Sequence, residues 1–217
     1  MNISKFINLT KDIKIVSFDI FDTLIERKCL SPRRIFNLAA RIGGVVDCNV
    51  ASFCCDRILA ENEARKKHKE KTQIGDIYSE LRKIGYDVDY SCEIEAETLM
   101  CKPKDSVLPL FEWACKNKVA VLTSDMYLGS SYIKQIIDGC GISGYDRMYV
   151  SCEHGAEKVS GKLFGLISKD YNIKPSKILH IGDSLKADIL GGWKAGVRTI
   201  YIPKTELLSR IFNHYNR

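Results

Sequence analysis

With 217 residues, 45% of them hydrophobic and 28% charged, the chain suits a folded globular protein, built as one large domain or as a core plus a smaller lid, and excludes a disordered one. Its formal charge of +6 is spread along the chain without a long basic tract or a nucleic-acid-binding module, which fits an anionic substrate rather than a nucleic acid. No run approaches the ~18 apolar residues of a membrane span. The polar start Met1–Lys14 reads as lacking a signal-peptide apolar region. The nine cysteines, an odd count without paired metal spacing, read as reduced thiols of a cytoplasmic protein.

Taken in order, the apolar run Ile15 to Phe18 predicts a buried strand that delivers Asp19 at its end. A Pro-punctuated basic turn follows, Arg27-Lys28-Cys29-Leu30-Ser31-Pro32. From Arg33 to about Lys102 the apolar spacing is mainly helical. Ile35, Leu38, Ala39 and Ile42 mark one helix, stopped by Gly43-Gly44; others are predicted over Ala51 to Lys69, Ile74 to Ile84 and Tyr90 to Met100. With no convincing strand, this stretch predicts an inserted helical subdomain ending at Lys102-Pro103. After Ser106 strands and helices alternate. Strands are predicted over Val119 to Thr123, Arg147 to Val150, Lys177 to Ile181 and Arg198 to Ile202. Helices lie around Val107 to Lys116, Ser131 to Asp138, Leu163 to Tyr171, Ala187 to Ala195 and Glu206 to Tyr215. That alternation predicts an α/β fold: a three-layer, Rossmann-like parallel sheet with helices on both faces and right-handed crossovers. The core then comprises residues 1–26 and 104–217, and the all-helical insert residues 27–103.

The strand ends carry the chemistry. A carboxylate at the end of a buried strand is costly unless a charge or hydrogen bond meets it. In open α/β sheets the carboxyl ends of the strands are also where ligands bind. Asp19 alone reads equally as a turn or helix-capping residue. It is joined, however, by Thr123-Ser124-Asp125 after one strand and by Gly182-Asp183-Ser184 with Asp188 after another, and Lys158 lies between them in sequence. A parallel sheet brings these ends to one edge. Clustered carboxylates repel one another and protonate unless a cation sits among them. Oxygen ligands without His or Cys favour Mg²⁺. A divalent ion, an ammonium and a hydroxyl together neutralise a phosphoryl group, which a remaining carboxylate can attack to form an aspartyl phosphate.

In Phe18-Asp19-Ile20-Phe21-Asp22-Thr23-Leu24, Leu122-Thr123-Ser124, Lys158 six residues before Phe164, and Gly182-Asp183-Ser184 with Asp188, the chain resembles the haloacid dehalogenase superfamily, whose members are mostly Mg²⁺-dependent phosphatases. The resemblance covers all but the helical insert, which sits where that family has its mobile cap. It implies Asp19 as nucleophile and Lys158 and Ser124, with Thr123 as the alternative, as phosphate ligands. It also implies Mg²⁺ held by Asp19, the backbone carbonyl of Phe21 and Asp183, with Asp188 in support. The substrate implied is a small phosphorylated metabolite.

One position departs from the family pattern. Most of its phosphatases carry a second Asp two residues after the nucleophile, which protonates the leaving oxygen and then activates water. Here that position is Phe21, and the extra carboxylate is Asp22, one residue later. Neighbouring residues of a regular strand face opposite ways. Asp22 therefore either reaches the leaving group through an irregular turn or caps that turn; general acid–base assistance is worth ~100 to 10,000-fold in rate. The haloacid dehalogenases proper also carry an aromatic residue there, so metal-independent dehalogenation competes, although the Gly182-Asp183-Ser184 run argues for metal.

Together with Arg57 to Arg65 and Ser124-Asp125-Met126-Tyr127-Leu128, the first motif also resembles a bacterial hydrolase-like group associated with surface-polysaccharide biosynthesis and sometimes fused to glycosyltransferases. That likeness implies a sugar, polyol or amino-alcohol phosphate substrate, or a catalytically weak domain with a glycosyltransferase or a second copy as partner.

Secondary candidates are weaker. Arg57, Glu61 and Arg65 share a helix face, as an exposed ion-pair ladder or a substrate-facing stripe. Asp125 and Tyr127 are candidates for the leaving group, with packing as the alternative for Tyr127. His180 reads as a core histidine bonded to backbone, Lys162 competes with Lys158, and Gly191-Gly192-Trp193 reads as a close-packing site.

Overall fold

The computed structural model describes residues 2–29 and 31–204; Leu30 and the helix expected over 206–215 lie outside them. Helix α1 (Ile3–Leu9) leads to strand β1 (Ile15–Asp19), and a turn then gives the short β2 (Ile25–Arg27). Helices α2 (Arg33–Ile42), α3 (Val50–His68), α4 (Ile74–Lys83) and α5 (Ser91–Met100) follow, and the chain returns through β3 (Cys101–Pro103). Next come α6 (Leu108–Asn117), β4 (Val119–Ser124), α7 (Ser130–Gly139), β5 (Arg147–Val150), α8 (Ser151–His154) and α9 (Lys162–Asp170). Strand β6 (Ile178–Gly182), a π-helical turn over Leu185–Leu190, α10 (Gly191–Lys194) and β7 (Arg198–Tyr201) complete the described chain.

The five long strands form one parallel sheet in the order β5-β4-β1-β6-β7. Strand β1 is central and buried at every residue. Its register sets Asp19 beside Thr123 and Phe18 beside Ile181. The chain fills β1, β4 and β5 outward on one side, then crosses to β6 and β7 on the other. The direction reverses at β1, and the crevice outside the carboxyl ends of such a switch point is where open α/β sheets bind ligands.

Alternation along the strands builds two apolar layers. Val16, Phe18, Leu122 and Ile181 join Phe111 and Ile133 on one face; Ile15, Val121 and Ile178 join Leu163, Phe164 and Ile167 on the other. Phe18 and Phe111 meet edge to face with ring centroids 5.3 Å apart. Burying one such ring contributes about 1.5–3 kcal/mol. The apolar residues of the helical stretch, among them Phe53, Ala60, Ile77 and Leu81, continue the first of these clusters.

Several elements differ from the sequence reading: α1, the ribbon of β2 and β3, the short α8 and the π-helical turn. Helix α1 was hidden in a polar stretch; Asn2 caps it by accepting from the Ser4 N–H at 2.9 Å, and Phe6 anchors it against Trp113. The antiparallel ribbon Ile25↔Pro103, Glu26↔Lys102, Arg27↔Cys101 is too short to show alternation, and Pro103 at its end is compatible with an outer position. The helix predicted over 187–195 is a π-helical turn followed by α10. Among the described residues no helix is long and apolar enough to cross a membrane. All nine cysteines are free.

Candidate active site

Strand β1 ends on Asp19, and Lys158, from the loop before α9, reaches it across the sheet edge. Lys158 Nζ donates to Asp19 Oδ1 at 2.5 Å and to Asp188 Oδ1 at 2.6 Å. All three side chains are buried. Burial, with Asp188 and Asp183 adding to it, pushes the Asp19 carboxyl up to about 8 against the pull of Lys158. Burial also works against the charge on Lys158, but Asp19, Asp188 and Asp125 keep it firmly protonated.

The π-helical turn after β6 carries Asp188 inward, to 0% exposure. Its Oδ2 accepts from the Ser184 N–H at 2.8 Å, and its Oδ1 faces His180 Nε2 at 3.0 Å. Burial opposes ionisation here too, but Lys158 and His180 hold Asp188 well below the usual carboxylate range. Burial lowers the His180 pKa, so the ring is neutral and donates from Nε2 to the carboxylate. Its Nδ1 then accepts from Ser17 Oγ at 3.0 Å. His180 is thus a core histidine, but its partners are side chains rather than backbone. A Cβ on Gly182 would overlap the Asp188 carboxyl, which explains the glycine in that motif.

Asp183 follows one residue beyond β6. Its Oδ1 accepts from Thr23 Oγ1 at 3.2 Å. Its Oδ2 is buried without a hydrogen-bond partner, although Lys204 Nζ lies 3.1 Å away in a charge contact that lacks hydrogen-bond alignment. One oxygen each of Asp19, Asp183 and Asp188 lie within 4.8 Å of one another. Three buried carboxylates, one with an oxygen that takes no hydrogen bond and has the Lys204 ammonium as its counter-charge, and none accompanied by His or Cys as a ligand, fit a hard divalent cation.

The turn after β1 is irregular. Phe21 forms an isolated bridge to Ile25, and Leu24 and Ile25 both donate their N–H groups to the Ile20 carbonyl at 2.9 Å. Asp22 adopts φ 63°, a left-handed conformation that Asp tolerates better than most residues. Its carboxylate does not close the turn; Oδ2 accepts from Lys204 Nζ at 2.7 Å. The buried Lys104 donates to the Asp22 carbonyl at 2.8 Å and to the Pro203 carbonyl at 3.0 Å, tying the turn to the segment after β7. The Phe21 ring lies under the Arg27 guanidinium, 4.7 Å from its centroid.

The remaining candidates separate. Thr123 Oγ1 is engaged inside the sheet, 3.4 Å from the Phe18 carbonyl and 3.5 Å from Ser17 Oγ, while Ser124 ends β4. Asp125 accepts from the Lys158 N–H at 3.0 and 3.1 Å and so anchors the lysine's backbone. Lys162 is exposed on α9 and takes no part in the cluster. The Arg57 end of the ladder is buried, not exposed: at 0% exposure Arg57 keeps the pair with Glu61 at 3.1 Å and adds a two-pronged pair with Glu93 at 2.7 and 2.8 Å. Tyr127 donates to Glu93 at 2.7 Å from the loop after β4, and Tyr78 donates at 3.0 Å. Glu61 also pairs with Arg65 at 2.8 Å, the exposed end of that ladder. Residues 13–196 match the haloacid dehalogenase-like hydrolase family.

The chain belongs to this family. It is 29% identical over 113 residues, half of its length, to the pyrimidine 5'-nucleotidase of Escherichia coli, and the match spans 48% of that protein. Among solved structures, a haloacid dehalogenase family enzyme from Bacteroides thetaiotaomicron, in complex with magnesium and inorganic phosphate, superposes with a TM-score of 0.65 at 17% identity, over 92% of this chain and 99% of that one. A 2-haloacid dehalogenase from Pseudomonas syringae gives 0.60 at 18%, over 94% and 99%.

In this haloacid dehalogenase-like hydrolase, Thr23, Lys104, Lys204 and the Arg57–Glu93 pair escaped the sequence reading. Thr23 belongs to the first motif, and its threonine hydroxyl was the one available signal. The lysines sit in stretches without periodicity, and Glu93 looks like any other glutamate of a helix. Gly191 is likewise fixed by space: a Cβ there would overlap the Lys158 carbonyl. Gly191→Ala should therefore displace the Lys158 backbone and lower stability by about 1–3 kcal/mol, the usual cost of overpacking, as a drop in urea midpoint.

Proposed function

We propose that the chain is a cytoplasmic Mg²⁺-dependent phosphatase of small phosphorylated metabolites, working through a phosphoryl group carried on Asp19. The observation that carries this reading is Lys158 set between Asp19 and Asp188, with Asp183 completing a cluster of three carboxylates. Mg²⁺, held by Asp19, Asp183 and the Phe21 carbonyl with Asp188 behind them, would supply positive charge to the phosphoryl oxygens. Lys158 fixes Asp19 Oδ1 and leaves Oδ2 to attack phosphorus. The bond from phosphorus to the substrate oxygen breaks, and the departing oxygen takes a proton from water. A second water attacks phosphorus, the acyl-phosphate bond breaks, and Asp19 returns to a carboxylate. Ser124 and Lys158 bind phosphoryl oxygens; the engagement of Thr123 inside the sheet supports Ser124 over its neighbour. Asp125 positions Lys158 through its backbone.

Residues 27–103 act as a cap over this edge, joined to the Ser124 loop by Tyr127. The sugar, polyol or amino-alcohol phosphates of surface-polysaccharide synthesis head the substrate classes, with pyrimidine nucleotides beside them because of the curated relative. The engagement of Asp22 with Lys204 favours a second reading as well: without an acid at the leaving oxygen, the domain turns over slowly and serves a partner such as a glycosyltransferase.

Phosphate release from a panel of both classes, with Mg²⁺ and with chelator, tests these readings. Mg²⁺-dependent release is the expected outcome. A folded protein that releases phosphate from no ester overturns the phosphatase reading, and halide release from 2-haloacids without Mg²⁺ would replace it.

A further inference from the structure

Lys204 stands outside the proposed phosphoryl steps, yet it is held against the acidic cluster by a dedicated set of contacts. Lys104, itself buried, fixes the preceding residue by donating to the Pro203 carbonyl at 3.0 Å and grips the Asp22 carbonyl at 2.8 Å. Asp22, in its left-handed turn, accepts from Lys204 Nζ at 2.7 Å. The same ammonium lies 3.1 Å from Asp183 Oδ2. That oxygen is the buried one with no hydrogen-bond partner, because Thr23 takes the other.

We propose that Lys204 is a built-in cation competing with the divalent metal for Asp183, with Asp22 as its anchor. This rests on the metal-dependent reading above. A Mg²⁺ ion needs its ligand oxygens at about 2.0–2.1 Å in near-octahedral order. An ammonium beside the same oxygen repels the ion and claims the carboxylate's charge. Lys204 must therefore give up Asp183 when metal binds, keeping Asp22 as its remaining partner. Its side chain is 48% exposed, so it has room to withdraw. The extra carboxylate after the nucleophile thus gains a task without touching substrate: it holds a competitor in place, and metal affinity falls.

Isothermal titration of the full chain with Mg²⁺, and with Mn²⁺ followed by water proton relaxation, measures this without any turnover. Lys204→Met should bind Mg²⁺ about tenfold more tightly than wild type, a change of about 1.4 kcal/mol. Lys204→Arg, which keeps the charge, should remain near wild type. Lys169→Met, an exposed site late in α9 and so toward the opposite sheet edge, should not change affinity and controls for overall charge. Thermal unfolding checks that each variant is folded. Equal or weaker Mg²⁺ binding by Lys204→Met, while wild type binds, overturns the competition and leaves the metal reading standing. Absence of Mg²⁺ and Mn²⁺ binding in wild type and Lys204→Met alike overturns both.

Discussion

Asp19→Asn should abolish turnover while leaving the fold intact. The amide has nearly the volume of the carboxylate, so the crowded end of β1 keeps its packing. Lys158 keeps Asp188 at 2.6 Å as a counter-ion, and Asp125 still holds its backbone. Removing one of three mutually repelling buried carboxylates offsets much of the lost attraction to Lys158. What disappears is the carboxylate proposed to take phosphorus covalently, since an amide oxygen is a feeble nucleophile. Losing a covalent nucleophile costs far more than losing a hydrogen bond, so kcat should fall by at least about 10⁴-fold. Acid quenching with labelled substrate should trap phosphoryl-enzyme in wild type and none in the variant. A variant with substantial residual kcat would transfer the nucleophilic role to water and remove the aspartyl phosphate from the scheme. A thermal midpoint within a few degrees of wild type separates loss of chemistry from loss of fold.

The readability of this site from sequence follows from how each residue is placed. Asp19, Ser124, Asp183 and Asp188 sit at or just beyond strand ends, and strand ends are announced by short apolar runs such as Ile15–Phe18 and Ile178–Ile181. A parallel sheet then has one edge where they can meet, so convergence follows from topology. Lys158 lies on no regular element, and only its spacing to Phe164 singled it out. The contacts that sequence did not disclose depend on departures from regular geometry. The positive φ of Asp22 turns its carboxylate toward Lys204, and no pattern of residue types encodes that dihedral angle. The three-residue ribbon between Ile25 and Pro103 is shorter than any period it could show. The π-helical turn that brings Asp188 inward reads as ordinary helix in composition. The four-residue spacing of Arg57 to Glu61 suggests a local, exposed ladder, and that pair is made at 3.1 Å; the partner that draws Arg57 inside, Glu93, is 36 residues away and invisible to local spacing.

That distant pair sets the second large expectation. Glu93→Gln should lower stability by up to about 3–5 kcal/mol, because it leaves the buried Arg57 guanidinium with the part-exposed Glu61, at 3.1 Å, as its counter-charge. For a chain of this length each kcal/mol moves the melting temperature by about 2–4 °C, which predicts a fall of up to about 6–20 °C. Glu93 accepts from Arg57 twice, from Tyr78 and from Tyr127, and the guanidinium also lies 4.6 Å from the Phe36 ring centroid and 4.9 Å from that of Tyr127. Tyr127→Phe removes one charge-assisted hydrogen bond and retains the ring, so it should cost about 1.5–3 kcal/mol. The double variant Arg57→Met with Glu93→Leu decides whether charge or packing dominates. Apolar replacement of both partners of a buried pair is often neutral, so the double variant should recover much of the stability that Glu93→Gln loses. A double variant as unstable as Glu93→Gln would instead assign the loss to the shape of the site. The pair also has a functional readout, since Tyr127 lies two residues beyond Asp125, which anchors Lys158. If the helices act on the phosphoryl site through that loop, Tyr127→Phe should weaken inorganic phosphate binding at temperatures where it is fully folded; unchanged phosphate affinity would confine the network to stability.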